Sequence, residues 1–299
     1  MKLRLFALLL FLSLPFFLIS QGLEGAASKK PEACVKEGKK QLQESPEDSE
    51  LWSIVGACYL SWAIDSEKEE LYDSAVSYLT QALILNNEDA LAFSNRASAY
   101  FYAAGLNEEK LEKALVDYNK ALALNPRLGL AILNRSILLK EMEDYEGALE
   151  GLDYLISQQP FNPVFYLHRA RIYKEATAFR TAINDYLKAI DLDSTVIPAY
   201  LEAGECYANL GFYPEAKDLM LKSIQKDKNS SSRAYFNLAC YEMAEGNSAQ
   251  SEKYFKKSLK GSYPSSLTCE DLNSNIFLQN RLVEDHWGKG FENLKLNCN

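Results

Sequence analysis

A phrase of 34 residues returns along most of the chain, and this repetition restricts the fold more than any other feature. Ile132, Tyr166 and Tyr200 stand 34 residues apart, Ala148, Ala182 and Ala216 keep the same interval, and Pro126 and Pro160 repeat it. Earlier copies open at Trp52 and Phe93, with Ala75, Leu79 and Ala82, then Ala114, Tyr118 and Ala121, as their second halves. A sixth copy opens at Tyr235 after one extra residue within 226–233. Self-similarity at this period marks an array in which each unit is one supersecondary element, unable to bury its apolar face without a stacked neighbour.

The pattern inside one unit gives its local structure. Ile132, Leu133, Ile137, Leu138 and Leu139 form one helical stripe, and Ala148, Leu149, Leu152, Leu155 and Ile156 form the next. Each unit therefore reads as two short antiparallel helices. Small slots fall where two backbones must come close: Gly56, Ala97, Ala170, Gly204 and Ala239 on first helices, and Ala75, Ala114, Ala182 and Ala216 on second helices. Asn125-Pro126 and Gln159-Pro160 end second helices, because the residue before proline is pushed out of the α region.

These residues resemble the tetratricopeptide repeat family, whose W-x2-L-G-x2-Y … A-x3-F … P pattern is matched by Trp52, Val55, Gly56, Tyr59, Ala75, Leu79 and Ala82. Tyr200, Ala203, Gly204, Tyr207, Ala216 and Met220 match it again. The resemblance implies an all-α fold, a right-handed α-solenoid of stacked helix-turn-helix units with helical caps. Six repeats are expected over residues 47–260. Residues 28–46 are expected to form an N-terminal capping helix, and 261–299 a C-terminal capping helix and tail that carries Leu267, Leu272, Ile276, Phe277, Leu282 and Val283. Two early units depart from the pattern. Tyr59 to Ala75 spans 16 residues and Tyr100 to Ala114 spans 14, against 9 from Leu139 to Ala148. Their charged, helix-forming composition predicts longer helices rather than loops.

Residues 1–27 read as a secretory signal, with Lys2 and Arg4 at a positive end, an apolar run from Leu5 to Ile19 and small Gly25-Ala26-Ala27 at the cleavage position. Export to the periplasm, the envelope or the medium is the expectation, and membrane association only through an uncleaved signal or a lipid anchor. Six cysteines follow the signal, and an even count in an exported chain favours disulfides. Their positions suggest Cys34 with Cys58, Cys206 with Cys240, and Cys269 with Cys298 as the remainder. The alternative is buried thiols acting as small hydrophobes.

Charge and motif content narrow the function. A net charge of −9 and a pI near 5.0 leave no basic surface for nucleic acid. His168 and His286 are too far apart to suggest a metal motif, and no G-x-S-x-G, H-E-x-x-H, G-x-G-x-x-G or P-loop occurs. Neither catalysis, nor a cofactor, nor a small-molecule substrate is expected. The resemblance implies instead a scaffold whose first helices line a concave groove for a protein or peptide. Its groove-facing slots would be Ser94, Asn95, Ser98, Leu133, Asn134, Ile137, His168, Arg171, Glu202, Glu205 and Asn237.

Two other readings compete with that scaffold. One is a structural subunit of the envelope that binds its own copy. The other is a co-chaperone that grips an acidic tail, for which Asn95 and Asn134 match a family asparagine while Ser53, Ala57 and Leu130 lack the flanking cations.

Arg96, Arg135 and Arg169 share one slot in three consecutive units. They form either a ladder for an acidic partner or structural ion pairs inside each unit, Arg96 with Asp117 and Arg169 with Asp185. In the middle unit Gly151 stands at the acid position, so Arg135 is expected to turn to Glu150 or Asp153.

Overall fold

The computed structural model describes residues 30–105, 107–227 and 231–259. The expected signal, the expected C-terminal capping helix and tail, His286, Cys269 and Cys298 lie outside the described residues. Among the described residues there are thirteen α-helices and no strands. They are α1 (Pro31–Glu44), α2 (Ser49–Ser66), α3 (Glu69–Leu85), α4 (Ala90–Ala104), α5 (Glu108–Leu124), α6 (Gly129–Glu141) and α7 (Tyr145–Gln158), then α8 (Pro163–Glu175), α9 (Phe179–Leu192), α10 (Ile197–Asn209), α11 (Tyr213–Lys226), α12 (Ser231–Ala244) and α13 (Ser248–Ser258). The chain divides into two compact units, one ending at Leu155 and one starting at Ile156.

The local chemistry of helix entry is repeated. Asp48 caps α2 by accepting from the Leu51 amide, Asp89 caps α4 through Leu91 and Ala92, Asn107 caps α5 through Lys110, and Asn162 caps α8 through Val164. The aromatic residue that opens a first helix is also tied backwards. Trp52 donates to the Pro46 carbonyl, Tyr166 to that of Pro160 and Tyr200 to that of Ser194, each six residues upstream. One side chain thus fills the gap between helices with its ring and fixes the incoming turn with its polar atom.

In the first unit α2 pairs with α3, α4 with α5 and α6 with α7. Ala75, Ala97 and Ala114 are completely buried, and a Cβ on Gly56 would meet Leu79 Cγ at 2.5 Å and the Leu79 amide nitrogen at 3.1 Å. The extra residues of the early hairpins lengthen helices. α2 to α5 run 18, 17, 15 and 17 residues, against 13 and 14 for α6 and α7. The added turns bury Ala63, Ile64, Leu71, Tyr72, Phe101 and Ala104. The turns of the long hairpins need left-handed backbone at Glu67 (φ 54) and positive φ at Gly105 (φ 55).

In the second unit α8 pairs with α9, α10 with α11 and α12 with α13. Completely buried Ala170, Ala182, Ala216 and Ala239 line the close approaches. A Cβ on Gly204 would overlap Met220 Cε and lie 3.2 Å from the Ala216 carbonyl oxygen. Because one of those neighbours is backbone, Gly204→Leu is expected to cost about 1–3 kcal/mol by overpacking. Urea unfolding would show it as a lower midpoint, whereas a midpoint within error of the parent would mean that the hairpin opens freely there.

The cysteines divide by position. Cys34 on α1 and Cys58 on α2 lie in disulfide geometry, with Cα atoms 6.0 Å apart. The expected bridge between Cys206 and Cys240 is not formed, and both are buried thiols. Equal height on neighbouring first helices is not enough to join them. Cys206 belongs to the apolar cluster with Ala182, Tyr186 and Leu219, and Cys240 to that with Met220, Phe236 and Phe255. Burial pushes the Cys206 thiol up to about 12, so it stays protonated.

Candidate partner-binding face

The slots expected to face a groove do not share one environment. In the first unit Ser94, Ser98 and Leu133 are buried, while Asn95, Asn134 and Ile137 are half-buried. Ser98 Oγ meets Tyr118 Oη at 2.9 Å in the interior, and Asn134 Nδ2 donates to Ser98 Oγ at 3.3 Å. This layer links α4, α5 and α6 through uncharged polar groups. Asn134 on α6 is thus part of this layer, and Asn95 on α4, also half-buried, occupies the same repeat slot. The Asn95 amide makes no side-chain hydrogen bond among the described residues.

In the second unit the expected groove slots carry charge, and His168, Arg171, Glu202 and Asn237 are as buried as Ser94, Ser98 and Leu133 are in the first. Arg171 on α8 grips Glu202 on α10 with both ends of its fork, Nη2 to Oε1 at 2.7 Å and Nε to Oε2 at 2.9 Å. Tyr186 on α9 donates its hydroxyl to the same carboxylate at 2.9 Å. One helical turn along α10, half-buried Glu205 accepts from Lys174 Nζ at 3.0 Å, from Arg233 on α12 and from Asn237 Nδ2 at 3.1 Å. Two carboxylates and three cations thus cross-link three consecutive first helices and leave a surplus of one positive charge.

The electrostatics follow from this contest. Burial alone would push both carboxylates up. The facing cations outweigh it, so Arg171 and Lys174 hold Glu202 far below the usual range, while Arg233 and Lys174 hold Glu205 down at about 2. Both acids are therefore ionised at neutral pH. A buried bidentate pair with its remaining lone pairs satisfied is the arrangement in which charge-assisted hydrogen bonds offset desolvation.

Lys174, Tyr186 and Arg233 were not singled out by the sequence reading. Tyr186 and Arg233, 16 and 28 residues from their acids, carry no repeat signal. For Lys174 the signal is a spacing of 31 to Glu205, equal to that from Arg171 to Glu202. That is the repeat length shortened by roughly one helical turn, the offset between contacting rows on neighbouring helices.

The two arginine pairs expected from the register are formed. Arg96 donates from Nε and Nη2 to both Asp117 oxygens at 2.7 and 2.9 Å, and Arg169 does the same to Asp185 at 2.7 and 2.8 Å. Arg135 departs from expectation. It turns neither to Glu150 nor to Asp153 but donates to Asn119 Oδ1 on α5 at 3.1 Å. The physical reason is that Asn119 lies one second helix back, where Arg96 likewise finds Thr80 Oγ1 at 3.2 Å.

Among the described residues no group of three or more His, Cys, Asp or Glu side chains is placed to hold a metal ion. No described helix is long and apolar enough to cross a membrane.

Comparison with known proteins agrees with this geometry. Residues 232–260 match the tetratricopeptide repeat family model. Over 173 residues, 52% of this chain and 34% of the relative, the sequence is 25% identical to human DnaJ homolog subfamily C member 7. Over 100 residues, 33% of this chain and 46% of the relative, it is 30% identical to the formate-dependent nitrite reductase complex subunit NrfG of Escherichia coli O157:H7. The chain spans between about a third and a half of the length of these relatives. A solved tetratricopeptide repeat protein from Parabacteroides merdae superposes with a TM-score of 0.58 at 18% identity, covering 83% of this chain and 91% of that one. The fold is that of the tetratricopeptide repeat solenoids.

Proposed function

We propose that the chain is an exported scaffold that holds a protein or peptide partner along the first helices of its first unit and carries out no chemistry of its own. The observation that carries this reading is the pair Asn95 and Asn134, half-buried at one slot of adjacent first helices, with Asn134 resting on Ser98 through one amide hydrogen. Side-chain amides repeated at one slot can each donate to and accept from an extended peptide backbone, which reads shape and register rather than one side chain. The equivalent face of the second unit already spends its polar groups on the network around Glu202 and Glu205, and serves as a frame.

Three further observations support parts of this reading. The tetratricopeptide fold is a binding scaffold in the family that the sequence resembles. One relative is named as the subunit of a complex. The signal-like N-terminus and the disulfide geometry of Cys34 and Cys58 suit an oxidising compartment.

The test is capture from an envelope extract by the mature chain and by its Asn95→Ala, Asn134→Ala double variant. Capture is expected to fall sharply in the variant while the melting temperature falls only modestly, because both side chains are half-buried and, among the described residues, only Asn134 gives up a hydrogen bond, the long one to Ser98. Unchanged capture would exclude this face. Sedimentation of the purified chain separates this account from a homo-oligomeric subunit, which would run as more than one copy without any partner.

A further inference from the structure

Three arginines occupy one slot of consecutive hairpins, and the structure completes two of them but not the third. Arg96 lies over the ring of Phe93 at 5.6 Å and binds both oxygens of Asp117, and Arg169 lies over Tyr166 at 5.6 Å and binds both oxygens of Asp185. Around Arg135 both partners are replaced, with Ile132 in the ring slot and Gly151 in the acid slot. Its bond to Asn119 is the counterpart of the Arg96 bond to Thr80, each reaching sixteen residues back. Only the forward half of the arrangement is missing.

Two polar atoms register that gap. Arg135 Nε, the counterpart of the atom that serves Asp117 in Arg96, is buried without a hydrogen-bond partner among the described residues. The neighbouring Ser136 is 1% exposed, its Oγ also lacks a partner, and it occupies the space that a Gly151 Cβ would take. Arg135 as a residue is half-buried, and Asn119 beside it is exposed. With its oxygen turned to Arg135, Asn119 leaves its amide nitrogen as an adjacent donor.

We propose that Arg135 is the docking point for a glutamate or aspartate side chain of a protein partner, which supplies the carboxylate that Gly151 withholds. The chemistry is a charge-assisted contact at the guanidinium edge beside exposed Asn119, where Nη1 already lies, with the acid delivered from another molecule and Nε left buried. The site lies on the side of α6 that faces Asn119 of α5 and Gly151 of α7, apart from the slot of Asn95 and Asn134. The proposal rests on the scaffold reading but names a second contact that can fail without it.

The test follows the arginine Nε–Hε signals of the full chain by NMR during titration with an acetylated hexapeptide of alternating Glu and Asp, and with its Gln and Asn counterpart. The Arg135 signal, identified by its loss in Arg135→Gln, is expected to move saturably with the acidic peptide only, while those of Arg96 and Arg169 stay fixed. Arg135→Gln should weaken binding about tenfold, the factor that a charge-assisted hydrogen bond supplies. Gly151→Asp provides the carboxylate from within and should abolish the response, at the small cost of moving the Ser136 hydroxyl. No movement of Arg135, or equal movement of all three arginines, would overturn the proposal. Envelope capture by Arg135→Gln keeps the two readings apart, since full capture together with a negative titration defeats this site and leaves the first-helix face standing.

Discussion

Arg171→Met is expected to destabilise the second unit by about 3–5 kcal/mol, the cost of leaving a buried carboxylate without its counter-charge. Glu202 is 3% exposed, and its nearest remaining donor is the Tyr186 hydroxyl. The double variant Arg171→Met, Glu202→Leu should recover most of that loss, because a buried ion pair replaced by apolar groups of similar volume is often neutral. Its residual deficit is the orphaned Tyr186 hydroxyl, about 1–3 kcal/mol. Amide hydrogen exchange of α8 to α11 would read both effects, with α2 to α5 as the internal reference. A single variant as stable as the parent would show that water reaches Glu202.

The same network sets an acid limit. Glu205 titrates at about 2 in the folded chain, against an ordinary value of 4.5. A carboxylate held down on folding contributes stability that is complete above its unfolded value and is lost as the pH falls toward its folded value. Protection of α8 to α12 should therefore decline between pH 4.5 and about 2.

Removal of the Cys34–Cys58 link is the second large effect. It closes a loop with a sequence separation of 24, for which chain entropy gives about 3 kcal/mol. The consequence should concentrate in α1. That helix has no side-chain N-cap, buries only Cys34, Val35, Gly38 and Leu42, and sets Gly38 directly against Val55 of α2. Cys34→Ala, or reduction of the parent, should release exchange in α1 first and lower the unfolding midpoint of the first unit. Unchanged protection of α1 in the reduced chain would mean that apolar packing alone holds the cap.

How much of this was legible in the sequence depends on the range of the interaction. The hairpins were legible because each is specified within one repeat, by stripes such as Ile132 to Leu139 and stops such as Asn125-Pro126. The Arg96–Asp117 and Arg169–Asp185 pairs were legible for the same reason, since register inside a unit fixes which side chains meet. The network of Arg171, Lys174, Glu202, Glu205 and Arg233 was not, because it joins different units through an offset that only the packing of neighbouring helices determines. The disulfide assignments show the same divide. A shared slot on adjacent first helices placed Cys206 and Cys240 at equal height, yet each sulfur turns into a separate apolar cluster. Slot position in a repeat predicts burial better than it predicts partners.

The central claim is that a partner lies along the first helices of the first unit. A photo-crosslinking residue placed at Asn134, compared with one at Leu221 on the exposed surface of α11, tests it most directly. In envelope extract a protein adduct is expected at position 134 and none at position 221. An adduct at 221 with none at 134 would contradict the account.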